Sequence, residues 1–293
     1  MTKSLFIRDF NSRYPMTMRR LKMGLSTILG LKKQGFFIPY RYADTVPTRA
    51  QDKPYAALQR LMQQKEEGFD RFLNGMGRYS EELSSFGEEA PPAPRWEQDW
   101  FPRLDAAAAY TMVRDEKPAT IIEVGSGHST RFMMRAIQDG GINSRFIAID
   151  PAPRADISSL GVEIFPTTVQ QVDLSLFSDL TSGDILFIDS SHIAMPGTDV
   201  DFLFLEILPA LPKGVIVHIH DIFLPHDYPE GWHWRGYNEQ QVVAPLLSAG
   251  YDLLFSSYYV QRYMGEALNR SVVGSLPIQD GAHETSLWLK KET

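Results

Sequence analysis

The sequence predicts an α/β protein: a doubly wound, mostly parallel seven-stranded sheet behind a helical N-terminal extension. Three observations carry this. From residue 119 onward, short β-rich apolar runs alternate with helical stretches. The first of these runs leads into a glycine turn and then a helical pattern. Upstream, the segment EEAPPAPRW (88–96) reads as a linker, because consecutive prolines cannot continue a helix. The expected organisation is a helical extension with a basic segment over 1–95 and the main domain over 96–293.

Taken in order, residues 16–31 place Met18, Leu21, Leu25, Ile28 and Leu29 at helical spacing beside Arg19, Arg20 and Lys22, a basic amphipathic helix weakened by Gly24. GFFIPYRYAD (35–44) is an aromatic loop. A longer helical pattern runs over 55–86, and Gly68, Gly75 and Gly77 predict that it bends or divides. Strands are expected at 119–124, 145–150, 162–165, 184–189, 214–220, 251–260 and 286–290. Helices are expected at 129–139, 153–159, 170–177, 199–210 and 238–249. Consecutive β–α alternations imply right-handed crossovers and a sheet covered on both faces, with the last strand antiparallel. Ligands of such Rossmann-like sheets bind outside the carboxyl ends of the strands, so chemistry is sought just after each strand.

Composition narrows the function classes. Hydrophobic residues make up 43% and charged residues 22%, which excludes disorder as the main state. No apolar run approaches the roughly 18 residues that span a bilayer, and the first ten residues reach charge too soon for a signal peptide. There is no cysteine, hence no disulfide, thiolate metal site or cysteine nucleophile. A cytoplasmic location is the expectation. The net charge of −7 is uneven: residues 1–42 hold nine Lys or Arg and one acid, +8, which leaves −15 for the rest. The body should repel nucleic acid. An anionic membrane surface or a lipid-linked substrate would meet residues 1–42, whose helices are also natural material for a homo-oligomer.

The first strand ends in IIEVGSGHSTRF. Gly125 and Gly127 allow a tight turn and close backbone approach, and the following helix presents free N–H groups. Asp150 ends the next strand, 23 residues beyond Gly127, where a carboxylate can accept both hydroxyls of a ribose. The third glycine of a dinucleotide fingerprint is replaced by Thr130. Glu123 stands two residues before Gly125; an acid there disfavours a pyrophosphate and suits a cofactor carrying positive charge. A second polar group falls at later strand ends: Asp189, Ser190, Ser191 and His192 after one strand, His220 and Asp221 after the next. Two carboxylates with imidazole suit either a divalent cation or a general base, and the residues leave both open. His218 lies deeper in its strand and reads as a core histidine. The loop 224–241, with His226, Asp227, Trp232, Trp234, Arg235 and Tyr237, reads as a binding wall or as an apolar plug. Asn238 reads as the N-cap of the next helix, with Gln241 at its capping-box position.

On E-V-G-S-G, Asp150 and the strand order over about residues 100–290, the chain resembles class I S-adenosylmethionine-dependent methyltransferases. GSGHST, IDPAPR, FIDSSH and HDIF are similar to a bacterial small-molecule subgroup that includes macrocin O-methyltransferases and cephalosporin-hydroxylase-like proteins. His128 stands where many members have glycine. The resemblance implies S-adenosylmethionine held by Glu123, Gly125, Ser126, Gly127, His128, Asp150 and Asp189. It further implies methyl transfer to a small-molecule acceptor, with oxygen ahead of nitrogen. His192, His220 and Asp189 would serve catalysis. Asp189, Asp221 and His220 would hold a cation such as Mg2+, His220 standing where some metal-dependent relatives have an acid. Two other readings remain open at this point: a nicotinamide-dependent oxidoreductase, and a non-catalytic protein acting through its basic N-terminus.

Overall fold

The structure is a computed structural model that describes residues 18–46, 53–87, 90–153 and 157–293. Chain contacts divide it into two compact units, Met1–Arg49 and Ala50–Thr293. In the first, residues 18–28 form a helix, α1, followed by a loop with one turn of 3-10 helix at Ala43–Thr45; residues 16 and 17 of the predicted helix lie outside the described residues.

The second unit holds the sheet. Its strands are β1 (Thr120–Val124), β2 (Arg145–Ile149), β3 (Glu163–Phe165), β4 (Ile185–Ile188), β5 (Ile216–Ile219), β6 (Tyr251–Ser256) and β7 (Leu287–Lys291). Their order is β3-β2-β1-β4-β5-β7-β6, with β7 antiparallel to both β5 and β6 and the other pairs parallel. The central strands β4 and β5 are buried on both faces, which is why they read as continuous apolar runs.

All seven strands were expected, and the sixth is shorter than its β-rich sequence suggested. After Ser256 the chain turns into a helix, Ser257–Tyr263, because the Ser256 hydroxyl accepts a hydrogen bond from Tyr259 N at 3.3 Å and caps it. Over 199–210 the predicted helix forms with a π-helical middle, Leu203–Ile207. Near 153–159 there is only a 3-10 turn, Ser158–Leu160, and residues 154–156 lie outside the described residues.

The long upstream pattern divides into α2 (Ala56–Gln63), α3 (Glu66–Gly75) and α4 (Ser80–Ser85), joined at Met76–Tyr79 by a 3-10 turn. These helices are part of the sheet-bearing unit, which begins at residue 50 and not at 96. Phe69 on α3 meets Phe255 of β6 and Tyr259 edge-on, with ring centroids 5.8 Å apart in each case. The proline segment is likewise no free linker. Trp96 is buried, its ring 5.7 Å from Phe86 and 5.1 Å from Phe132, and its Nε1 donates to Leu83 O at 3.1 Å. A buried indole with a satisfied N–H fixes the chain beside it.

Sequence reasoning missed α5 (Arg103–Glu116), whose first two turns hold four consecutive alanines and show little amphipathic contrast. The helix is buried along most of its length and packs along α6 (His128–Gly140). No helix among the described residues is long and apolar enough to cross a membrane.

Removing the Phe69 ring leaves a cavity between α3 and β6. Phe69→Ala is expected to lower the stability of the sheet-bearing unit by about 3–5 kcal/mol, read as one cooperative urea transition at lower midpoint. A separate early transition, with the sheet unaffected, would mean that α2–α4 fold apart from it.

Candidate active site

The glycine turn is built by three side chains beneath it. Gly125 has φ +83°, and a Cβ there would stand 2.2 Å from the carbonyl oxygen of Asp189, so only glycine lets β1 and β4 end this close together. Glu123 is fully buried under the turn. Its two oxygens accept from the hydroxyls of Ser129 and Thr130, each at 2.5 Å. The Thr130 hydroxyl in turn accepts from Gly127 N at 2.9 Å. Burial pushes the Glu123 carboxyl up to about 8 against the pull of the two hydroxyls. Glu123, expected to hold the cofactor, braces the turn from below and does not line the cleft. This also explains Thr130, whose hydroxyl is needed where a dinucleotide site would have glycine.

Gly125, Ser126, Gly127, His128 and Asp150 do line the cleft. Asp150 Oδ2 accepts from Ser126 N (2.9 Å) and Ser126 Oγ (2.8 Å), and Oδ1 from Ala152 N (2.8 Å). The His128 imidazole is pushed down to about 4 by burial and by Arg131 and Arg95, so it is neutral at pH 7.

The polar residues of β4 and β5 converge as expected. His192 Nε2 lies 3.4 Å from Asp189 Oδ1 and 3.4 Å from Asp221 Oδ2; His220 Nδ1 lies 3.7 Å from Asp189 Oδ1 and 3.7 Å from Asp221 Oδ1. These four form a closed ring of alternating imidazole and carboxylate. Behind each imidazole stands a further carboxylate, fully buried: Glu239 Oε2 at 2.8 Å from His192 Nδ1, and Asp105 Oδ2 at 3.4 Å from His220 Nε2. His192 and Asp221 hold positive φ, 60° and 57°, a conformation that costs non-glycine residues roughly 1–3 kcal/mol and is kept only where surroundings impose it. Burial disfavours charge on both imidazoles. The carboxylates around them outweigh it and raise both well above the ordinary histidine value. Burial likewise works against Asp189, and the hydrogen bonds from His192 and His220 overcome it, holding Asp189 below the ordinary carboxylate range. Asp189 is the member open to the cleft, with 41% of its side chain exposed against 12% for Asp221.

Neither Glu239 nor Asp105 was anticipated. Asp105 was the legible one: a lone acid in an otherwise apolar helical run, buried where only a paired charge is tolerated. Glu239 sits at the position before the helix Gln240–Val243. The predicted cap, Asn238, instead accepts from Ala194 N at 2.7 Å, and no side chain caps that helix. His218 is a core histidine as expected, stacked 3.7 Å from Phe187 and bonded through Nε2 to Ser286 Oγ at 2.8 Å.

The loop 224–241 divides between the cleft and the interior. Trp232, Arg235 and Tyr237 line the cleft: the Arg235 guanidinium lies 4.2 Å from the Trp232 ring and donates to Tyr237 Oη at 3.0 Å, and the Tyr237 ring lies 4.6 Å from His192. His226 is buried against Tyr258 and Tyr263 and belongs to the plug. Asp227 accepts from Tyr228 N, and Trp234 points to solvent. The cleft encloses about 880 Å³.

Among the described residues, no three His, Asp or Glu side chains already surround one point as ligands; those of the ring face one another as ion pairs. Their chemistry is compatible with a divalent ion, since carboxylate oxygens and outwardly anchored imidazoles are what such ions take, ligation replacing the imidazole proton.

Residues 122–222 match the family model described as a methyltransferase domain. The match begins within β1, contains the glycine turn, Asp150 and all four ring residues, and ends one residue past Asp221. This match and the seven-strand order favour a methyltransferase domain over the nicotinamide-dependent reading. No curated protein matches the chain. Among solved structures, it is similar to a methyltransferase from Podospora anserina bound to S-adenosylhomocysteine, at 15% identity over 88% of this chain and 100% of that one, TM-score 0.42. Others are an O-methyltransferase from Bacillus cereus with S-adenosylhomocysteine (11%, 76% and 91%, TM-score 0.42) and one from Streptomyces achromogenes involved in tomaymycin synthesis, with S-adenosylmethionine (12%, 76% and 90%, TM-score 0.41).

The brace under the turn gives a pH signature. Glu123 keeps its proton to about pH 8 when folded, whereas in the unfolded chain it loses it near 4.5. Stability therefore falls as pH rises between those values, the unfolded state binding fewer protons. Glu123→Gln should lack this slope, so that urea denaturation finds the variant gaining on the wild type from pH 5 to pH 8. Parallel curves for the two proteins would contradict the buried, proton-holding brace.

Proposed function

We propose that the chain moves the methyl group of S-adenosylmethionine to a hydroxyl oxygen of a small-molecule acceptor of sugar, lipid-linked or natural-product type. The observation that carries this reading is one sheet edge. In strand order it sets Asp150, the Gly125–Gly127 turn, Asp189 and His220 side by side, so a cofactor cradle adjoins a proton-accepting ring.

The residues divide the work. Asp150 already receives three hydrogen bonds and retains lone pairs for two ribose hydroxyls. Gly125, Ser126, Gly127 and the neutral His128 give a close, uncharged approach for the remainder. Trp232, Arg235 and Tyr237 form a shelf on which a ring or sugar can stack. Asp189, the exposed member of the ring, receives the acceptor hydroxyl. As the O–CH3 bond forms and the S–CH3 bond breaks, the electron pair returns to sulfur and the hydroxyl proton becomes strongly acidic. Asp189 holds that hydroxyl by a hydrogen bond while the ring of Asp189, Asp221, His192 and His220 as a whole takes up the proton, a contribution of about 10²–10⁴ in rate. An oxygen acceptor is favoured over nitrogen because this ring serves the deprotonation that a hydroxyl needs. We assign Asp189, Asp221 and His220 as the donors for a divalent cation, Mg2+ or similar; bound there, it would lower the acceptor's pKa.

Isothermal titration with S-adenosylmethionine tests the reading. Asp150→Ala should weaken binding by about 2–4 kcal/mol with the fold intact, and unchanged affinity would remove Asp150 from the site. With an acceptor in hand, Asp189→Asn should cripple turnover and a chelator should suppress it until a divalent ion is restored. Turnover indifferent to chelator would remove the cation from the account, and less than a tenfold loss in Asp189→Asn would remove the base.

A further inference from the structure

The described residues of the unit Met1–Arg49 bury no core. None of residues 18–46 is buried, and twelve large apolar side chains in that stretch are between 44% and 77% exposed. Met18, Leu21, Leu25 and Ile28 lie on one face of α1 at helical spacing, with Arg19, Arg20 and Lys22 beside them. The end of α1 is closed in an orderly way: the Thr27 hydroxyl donates to Met23 O at 2.9 Å and accepts from Gln34 N at 2.9 Å. The chain then carries Phe36, Phe37, Ile38 and Tyr40 outward. A helix of eleven residues is marginal alone in water, so this face needs a surface to lie on.

Charge selects that surface. Residues 18–46 hold six Lys or Arg and one acid, Asp44, and residues 1–42 carry +8 against −15 for the rest of the chain. We propose that residues 18–46 form a docking module for an anionic lipid surface. Lys and Arg meet the headgroups while the apolar helix face and the aromatic loop enter the interface. A second copy is the weaker fit. Among the described residues outside 18–46, six large apolar side chains are exposed, Trp100, Leu174, Leu205, Trp234, Tyr263 and Ile278, against twelve within that stretch, so a partner's sheet-bearing unit offers little apolar surface to match it. Two N-terminal units facing each other would bring +8 against +8. A bilayer rich in acidic lipid supplies both the apolar depth and the negative charge.

Flotation of the full chain with vesicles decides. With phosphatidylcholine vesicles in which a third of the lipid is phosphatidylglycerol, the chain should float at low salt and be released as salt rises. With phosphatidylcholine alone it should remain at the bottom. The double variant Leu21→Asp, Leu25→Asp should not float, while binding S-adenosylmethionine as the wild type does. Neutralising Arg19, Arg20 and Lys22 to glutamine should cost about fivefold per charge, about a hundredfold together. No flotation with anionic vesicles at low salt, or equal flotation with neutral ones, would overturn the proposal. So would a dimer by light scattering that the double leucine variant dissolves while no vesicle is bound, since the face would then belong to a second copy.

Discussion

The site depends on keeping two imidazoles and two carboxylates within 3.4–3.7 Å of one another at the ends of adjacent strands. Three of these groups, His192, His220 and Asp221, are largely taken from water, which is tolerable only when each is paired, because an isolated buried charge costs several kcal/mol. The fold meets that condition from two distant directions. Asp105, on α5, lies behind His220 and also accepts from Thr285 N and Ser286 N, which ties the helix to the start of β7. Glu239 reaches His192 from the far end of the 224–241 loop, and the backbone N–H groups of Asn238 and Glu239 donate to His192 O. The positive φ of His192 and Asp221 is the local cost of this closure.

A second constraint acts on the cradle. β1 and β4 end so close together that Gly125 admits no Cβ, and the buried carboxyl of Glu123 beneath the turn is held by the hydroxyls of Ser129 and Thr130. The turn is therefore fixed from below, and Gly125, Ser126 and Gly127 line the cleft above it. Cradle and ring share Asp189: its backbone oxygen limits Gly125, and its side chain belongs to the ring.

The strand count, the glycine turn, Asp150 and the convergence of Asp189, His192, His220 and Asp221 were all legible, because buried parallel strands and strand-end polar residues leave local patterns. What was not legible depends on long-range partners. That Glu123 braces the turn shows only once Ser129 and Thr130 are seen bonded to its oxygens. Glu239 and Asp105 are single acids whose meaning lies 47 and 115 residues away along the chain. Helix α5 was overlooked because four alanines give no amphipathic signal, and Trp96 turns a proline-rich stretch that reads as linker into a pinned segment. The break at residue 49 was likewise hidden: α2–α4 show the same helical periodicity as α1, and only packing tells the two groups apart.

The central claim is that the carboxyl edge of β1, β2 and β4 holds S-adenosylmethionine. Hydrogen–deuterium exchange with and without the cofactor reads this edge directly, because amides beneath a bound ligand open less often. The account predicts slowed exchange at the amides of 125–130, 150–152 and 189–192, with the far ends of the same strands unchanged. Protection absent from 125–130, or concentrated outside this edge, would contradict it.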